Sequence, residues 1–312
     1  MTFKTIHDVH HCFDNSIAPL ETISSGDTRR FDILDASGGL ITRDNQAEIL
    51  TRLPHDVLNP VCGPLFIADA EPGDVIEVEF IDFEPGGWGW TGILPEFGLL
   101  AEDFKEPWLK FSEYDSESVY FDDDIIIPFR PFAGTIGLAP AESGAHSILP
   151  PRICGGNMDI RDLVTGAKLY LPVQVAGGLF SIGDTHACQG DGEVCGSAIE
   201  TSMAATATIR LHKGDSIPAP MFDVPVVASD SQNEGYIVTT GIGSDLMAGA
   251  KDAVRFMIDR LSKKANMDEQ LAYALCSVAG QLRISEIVDQ PNWVVSFYIP
   301  KAIFKSRSLK AI

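Results

Sequence analysis

The segment from Val75 to Phe83, VIEVEFIDF, alternates between apolar and acidic side chains along most of its length. A period of two, together with β-branched residues and a preceding Gly73-Asp74 turn pair, is typical of a strand with one buried face. Residues 205–211, ATATIRL, repeat this pattern and are followed by a second turn pair, Gly214-Asp215. These parts of the chain are therefore predicted to form β-sheet.

Helical periodicity is found only late in the sequence. Residues 244–264 carry apolar side chains at spacings of three and four, and Ser244 with Asp245, two favoured N-cap residues, supplies the start signal. Residues 267–280 have a second helical pattern, which Gly280 ends. Residues 293–299, WVVSFYI, return to a strand pattern. Two helices and a terminal strand are therefore predicted for this part of the chain.

These patterns predict an α+β protein that is predominantly β. We expect antiparallel or mixed, sandwich-like sheets through the first three quarters, with the two late helices packed against them. The chain is expected to form a single β-rich domain over residues 1–312. Prolines cluster between residues 128 and 151, so a long ordered loop is predicted there, and a boundary between two subdomains could fall within it.

The composition argues against several classes of partner. The sequence has 44 acidic and 23 basic residues and a formal net charge of −21, whereas nucleic acids and anionic membrane surfaces attract lysine and arginine clusters. No run approaches the roughly 18 apolar residues of a membrane-spanning helix, and the N-terminal residues lack the apolar region of a secretory signal. We predict a cytoplasmic protein that binds neither nucleic acid nor membrane.

Residues 183–200, GDTHACQGDGEVCGSAIE, combine glycines with acids, a histidine and a glutamine. This composition is typical of a ligand site, because glycine lets the backbone approach a ligand and Asp, His and Glu bind metals or move protons. If a strand continues to His186, then Asp184 and His186 project from one face of it. The pair would then offer two ligands to one metal ion.

Further carboxylates accompany this pair. Asp159 ends a second glycine-rich segment, 154–159 (CGGNMD), and Glu193 and Glu200 follow His186 along the chain. Each acid has the simpler alternative of capping a turn. Together, however, acids and a histidine beside glycines suit a divalent metal better than a packed core. Zinc is the preferred ion, with calcium or magnesium as alternatives.

Residues 183–200 and a series of other segments resemble the acetamidase/formamidase family. The segments are 11–16 (HCFDNS), 35–39 (DASGG), 59–64 (NPVCGP), 70–74 (AEPGD), 131–137 (PFAGTIG), 155–159 (GGNMD) and 291–293 (PNW). They follow one another in the family's order and cover nearly the whole chain. The resemblance implies a cytoplasmic β-rich homo-oligomer that hydrolyses a small carboxamide, of formamide or acetamide type, to ammonia and the carboxylate.

Amide hydrolysis needs a nucleophile, stabilisation of the oxyanion and a proton for the departing amine. A metal-activated water meets the first need, and the metal also polarises the carbonyl. We therefore predict that Asp159, Asp184 and His186 hold the metal. Glu193 is predicted to act as general base toward water and then as acid toward ammonia. Glu200 is predicted as a second catalytic carboxylate, either a further ligand or a partner of the ligands.

Amide side chains are candidates for substrate binding. Asn15, Asn157 and Gln189 are predicted to pair with the substrate amide, whose NH₂ needs acceptors and whose carbonyl needs donors. Each of them has the alternative role of bonding a turn.

Two other functions stay open at the level of sequence. Cys188 or Cys195 could be the acylated nucleophile of a thiol amidase, with Glu193 as its base. Alternatively, the glycines and carboxylates could form a calcium site in a non-catalytic β-rich binding module. His186 argues against calcium, because histidine is a poor calcium ligand and a good zinc ligand.

Overall fold

The computed structural model describes residues 3–225 and 234–304, in which the chain forms nineteen strands, two α-helices and three short 3-10 helices. The strands are β1 (Thr5–Ile6), β2 (Val9–His10), β3 (Glu21–Ile23), β4 (Thr28–Ile33), β5 (Val61–Ile67), β6 (Val75–Glu84), β7 (Trp88–Ile93), β8 (Trp108–Tyr114), β9 (Ser118–Asp122), β10 (Ile125–Pro128), β11 (Phe132–Gly137), β12 (Gly155–Asn157), β13 (Lys168–Pro172), β14 (Phe180–His186), β15 (Met203–His212), β16 (Met221–Val224), β17 (Tyr236–Gly243), β18 (Gln281–Glu286) and β19 (Trp293–Pro300). The helices are α1 (Leu246–Ala265) and α2 (Glu269–Ala279), and the 3-10 helices span Ala47–Thr51, His55–Val57 and Lys301–Ile303.

The strands of the described residues form three sheets. The nine-stranded sheet has the order β1-β4-β15-β6-β13-β16-β17-β19-β18. The six-stranded sheet has the order β12-β11-β14-β5-β2, with β3 paired to β5, and the four-stranded sheet has the order β10-β9-β8-β7. The β1–β4 and β3–β5 pairs are parallel, while pairs such as β15–β6 and β11–β14 are antiparallel. The predicted, predominantly β fold with antiparallel and mixed sheets is confirmed.

The main hydrophobic core joins the nine-stranded and six-stranded sheets. Phe31 of β4 and Phe180 of β14 are fully buried, and their rings meet edge to face with centroids 5.9 Å apart. Val78 of β6 and Ile182 of β14 belong to the same cluster. Burial of such side chains is the main favourable term in folding. It also anchors β14, which carries Asp184 and His186 near its end.

The two helices pack on the nine-stranded sheet where β17 and β19 are neighbours. Met257 and Leu261 of α1 join Ile237 of β17 and Phe297 of β19 in a second apolar cluster. The Asp245 side chain accepts a hydrogen bond from the backbone N–H of Ala248 in the first turn of α1, as predicted for a cap. Both predicted helices and their packing against a sheet are confirmed. No helix among the described residues has the length and apolar character needed to cross a bilayer.

One prediction about an individual element was wrong, and one strand was not predicted. The predicted loop over 128–151 contains β11, whose residues are all buried between β12 and β14. A further strand, β18, lies between the helices and the predicted last strand and forms the edge of the nine-stranded sheet. The subdomain boundary within 128–151 stays a prediction.

Candidate active site

A cluster of buried acidic side chains surrounds one histidine at the end of β14. Asp184 and His186 come from β14 itself, Asp159 follows β12, and Glu200 is joined to His186 by an isolated β-bridge. None of these four residues is more than 2% exposed. The structure therefore brings together the three predicted metal ligands and Glu200, and Glu193, the other predicted catalytic carboxylate, is also buried beside Asp159 and His186.

The backbone around the cluster takes uncommon conformations. Asp159, Asp184 and Glu193 have φ angles of 45°, 58° and 46°, in the left-handed region that most side chains avoid. Such strain often accompanies functional sites. On β11, a Cβ atom at Gly134 would lie within 3 Å of Asp159 Oδ1, Asp184 Oδ2 and His186 Cε1. Glycine at this position therefore lets the two aspartates and the histidine approach one another.

The two ring nitrogens of His186 face different partners. Nε2 lies 3.1 Å from Glu200 Oε2 and 3.3 Å from Asp184 Oδ1, while Nδ1 lies 3.0 Å from Gln189 Oε1. The Gln189 amide is oriented by its Nε2, which donates to the Asp159 carbonyl oxygen at 2.8 Å. Gln189 Oε1 thus accepts a hydrogen bond from the Nδ1–H group, and Nε2 remains available for a cation or a second proton between two carboxylates.

Burial and like charges shift the pKa values in the cluster. Burial lowers the pKa of His186, but the carboxylates of Glu200 and Asp184 outweigh it and raise that pKa well above its usual value. Burial raises the pKa of Glu193 well above its usual value, and repulsion from Asp159 adds to the effect. The cluster therefore attracts positive charge, whether a proton or a metal cation.

Two acids that were not predicted complete the cluster. Asp289 is buried, and its Oδ2 accepts a hydrogen bond from Asn157 Nδ2 at 2.6 Å. Asn157 Oδ1 in turn accepts one from Thr135 Oγ1 on β11. Glu286 ends β18, and its carboxylate accepts hydrogen bonds from two backbone N–H groups of the following turn. Burial raises the pKa of this carboxyl to about 8. Their sequence signal was weak: two acids, three residues apart, just before the matched segment 291–293.

Several polar atoms of the cluster are buried without a hydrogen-bond partner among the described residues. They are both carboxylate oxygens of Asp159, Asp184 Oδ1, His186 Nε2, Glu200 Oε2 and Glu286 Oε2. An unsatisfied buried polar group costs about 1–3 kcal/mol, and more if it is charged. Two groups have ligand atoms within 4.8 Å of one another: Asp184, His186 and Glu200, and Asp159, His186 and Glu193. These residues fit a divalent cation.

A cavity of about 330 Å³ adjoins the cluster. Its polar wall includes Asn157, Asp184, Glu193, Glu200 and Asp289. The apolar wall includes Leu50, Leu53, Leu58, Trp90, Leu94, Phe97 and Leu149. A small molecule in this cavity would therefore contact both the buried acids and a hydrocarbon surface.

The residues predicted to bind substrate occupy three different environments. Asn157 lines the cavity and also bonds Asp289. Gln189 lies outside the cavity lining and orients the His186 ring instead. Asn15 lies outside the cavity lining and donates from its amide to the carbonyl oxygens of residues 140–142, which links the N-terminal segment to that part of the chain.

The two candidate cysteines also lie outside the cavity lining. Both line a neighbouring groove, which shares Glu193 and Ser197 with the cavity. Cys188 is buried, and burial raises the pKa of its thiol to about 11. Such a thiol is almost entirely protonated at neutral pH and is a weak nucleophile. The Cys195 thiol donates to the carbonyl oxygen of Ser197 at 3.4 Å.

A salt-bridge network holds the loop that carries Glu193. Arg283 of β18 donates to both carboxylate oxygens of Asp191, at 3.0 and 2.6 Å, and to Asp162 at 2.8 Å. Its guanidinium lies 4.5 Å from the ring centroid of Tyr298, whose hydroxyl also bonds Asp162. Paired bonds of this kind fix orientation as well as distance. The edge of the nine-stranded sheet therefore helps to position Glu193.

Comparison with known proteins identifies a family over nearly the whole chain. The sequence model of the Acetamidase/Formamidase family matches residues 2–147 and 141–306. The formamidase of Methylophilus methylotrophus is 24% identical, over 95% of this chain and 89% of that protein. The match is therefore not confined to residues 183–200.

Two crystal structures of acetamidases have the same fold as this chain. The acetamidase of Bacillus halodurans has a TM-score of 0.88 at 28% identity, with 97% of this chain and 99% of that chain covered. The acetamidase of Yersinia enterocolitica has a TM-score of 0.87 at 30% identity, with 98% and 94% covered. The structural similarity thus covers nearly the complete length of both chains in each comparison.

Proposed function

The chain belongs to the acetamidase/formamidase family, and from this premise we propose that it hydrolyses a short-chain carboxamide to ammonia and the carboxylate. Membership identifies an amidase, so the alternative of a non-catalytic calcium-binding module was wrong. The observation that carries the proposal is the cavity whose polar wall belongs to the buried acid–histidine cluster.

We propose further that the cluster holds a divalent metal, zinc in preference to calcium or magnesium. The unpaired atoms around His186 Nε2 support Asp184 and Glu200 as its companions, with Asp159 as a further carboxylate. Among these ions, a histidine ligand favours zinc. When bound, such an ion supplies a Lewis acid that polarises the amide carbonyl and makes water a better nucleophile.

The reaction breaks the amide C–N bond and forms a C–O bond from water to the carbonyl carbon. Glu193 lines the cavity, and we assign its carboxylate the proton taken from water and returned to the departing nitrogen. Its raised pKa suits a group that must both accept and release a proton. Asn157 uses one N–H on Asp289, and its second N–H is assigned to the substrate carbonyl.

Removal of the metal is expected to abolish most turnover. Ammonia release from formamide and acetamide should fall by about 100-fold or more after chelator treatment, because a Lewis acid contributes several kcal/mol. Zinc should restore the rate, and calcium should not. A sample dialysed without chelator controls for handling losses. Turnover that is indifferent to the chelator would leave the amidase in place and reject the metal.

The cysteine variants test the thiol route. Cys188→Ala and Cys195→Ala are each expected to keep acetamide turnover within about twofold of the unmodified enzyme, because neither thiol lines the cavity. The rates should be measured alongside thermal melting, so that unfolding is recognised. Complete loss of turnover in one folded variant would restore the cysteine-nucleophile alternative.

We propose a small neutral amide as the substrate that the enzyme binds. A cytoplasmic location and assembly as a homo-oligomer stay predictions from the sequence and its resemblance.

A further inference from the structure

The cavity is larger than formamide or acetamide requires. A water molecule takes up about 30 Å³ of liquid, so the four non-hydrogen atoms of acetamide correspond to roughly 120 Å³. The cavity measures about 330 Å³. Sites that bind drug-sized ligands begin at about 300 Å³. With either small amide bound, most of the space would remain for water or for a larger substituent.

The apolar wall of the cavity is well supported by the fold. Leu50 lies in the first 3-10 helix and Leu53 follows it, Trp90 lies on β7, and Leu94 and Phe97 follow β7. The first three are buried in one apolar cluster, against which Leu94 packs. Trp90 donates its indole N–H to a carboxylate oxygen outside the lining, so its polar atom is satisfied. The wall therefore offers a hydrocarbon surface that binds apolar groups better than water.

The charge of the lining restricts the substituent further. The ionisable side chains of the lining are Glu96, Asp184, Glu193, Glu200 and Asp289. No lysine or arginine is present among the described residues that line the cavity. An amide substrate with a carboxylate in its acyl group would face like charge without a cationic partner. The acidic lining therefore disfavours an anionic substituent, and the apolar wall favours an uncharged one, because a charge packed against it would lose its hydration.

We propose that the preferred substrate is a primary carboxamide whose acyl group is neutral, apolar and about four to eight carbons long. This substrate class rests on the proposed amidase function. The amide group lies at the acid–histidine cluster, and the acyl group packs against the apolar wall, including Leu53, Leu94 and Phe97.

A substrate series tests this preference. The value of kcat/KM for ammonia release should be measured with acetamide, butanamide, hexanamide and phenylacetamide. Burial of each methylene is worth about a factor of three to four, so hexanamide should exceed acetamide by at least about tenfold. The monoamide of adipic acid, which adds a terminal carboxylate to a chain of similar length, should fall at least about tenfold below hexanamide.

A matched pair of variants locates the binding surface. Leu94→Glu places a charge in the apolar wall, and it should lower the ratio of hexanamide to acetamide kcat/KM by about tenfold or more. Leu100→Glu changes an exposed leucine outside the lining and should leave this ratio unchanged. Because both substrates are measured on one preparation, partial unfolding cancels from the ratio.

The possible results separate the two proposals. If acetamide is turned over as efficiently as hexanamide, the substrate class is overturned and the amidase proposal stands. An unchanged ratio in Leu94→Glu would overturn the placement of the acyl group on this wall. Absence of ammonia release from every amide would overturn the amidase proposal itself.

Discussion

The Glu193→Gln variant is expected to fold and to bind zinc, yet to hydrolyse amides about 10²- to 10⁴-fold more slowly. Glutamine keeps the size of the side chain and its place in the cavity lining, but it cannot accept a proton from water. Glu102→Gln, at an exposed glutamate of the segment after β7, is the matched control and should keep the full rate. Zinc content and kcat should be determined on the same samples.

The pH profile distinguishes a proton acceptor from a residue that merely shapes the cavity. Burial, with repulsion from Asp159, raises the pKa of Glu193 above the ordinary 4.5 of a glutamate. Only the deprotonated carboxylate can act as base, so kcat should fall as pH drops through this raised pKa. Glu193→Gln should lack that acidic limb. A variant with the unmodified rate and profile would exclude Glu193 as the base.

The fold was predictable where one face of a strand meets the core. Segments 75–83 and 205–211 alternate because β6 and β15 each present one row of side chains to the main core. Edge strand β18, QLRISE, was missed although its polar and apolar residues alternate, because the alternation is short and directly follows the helical pattern that Gly280 ends. Its apolar residues are turned outward, with Leu282 53% and Ile284 41% exposed, so the period does not tell which face of this edge strand is buried.

Strand β11 was not predicted from the sequence for a different reason. Its sequence, FAGTIG, has small residues because neighbouring groups crowd the backbone. A Cβ at Gly137 would meet the Gly156 backbone nitrogen and the Phe13 ring at 3.1 Å or less. These contacts come from segments far apart in the chain. The composition of β11 is thus set by tertiary neighbours, which a sequence window does not contain.

The candidate site, like the fold, was only partly predictable from the sequence. Asp184 and His186 were found because one strand holds both within three residues. Asp289 lies more than a hundred residues further along the chain and reaches the cluster only through the fold. Its surroundings lack the glycines that marked residues 183–200. Sequence therefore located the cluster but not its full set of acids.

The Gly134→Ala variant is expected to disrupt the site more severely than its size suggests. The added methyl group would lie within 3 Å of Asp159 Oδ1, Asp184 Oδ2 and His186 Cε1. Since these side chains are buried, they cannot move into solvent, and overpacking of this kind costs about 1–3 kcal/mol of stability. Displacement of the proposed ligands by even about 1 Å should lower kcat by about 100-fold and reduce bound zinc.

Gly243→Ala supplies the control for this change. Gly243 ends β17, its added Cβ would have no heavy atom within 4 Å, and its φ lies outside the left-handed region. Alanine there should leave activity unchanged and stability equal or higher by up to about 1 kcal/mol, because it restricts the unfolded chain. Thermal melting, zinc content and kcat should be compared for both variants. If Gly134→Ala kept the zinc content and kcat of the unmodified enzyme, Asp159 and Asp184 could move apart without loss of function. The close contact of these side chains with the backbone of β11 would then have no catalytic role.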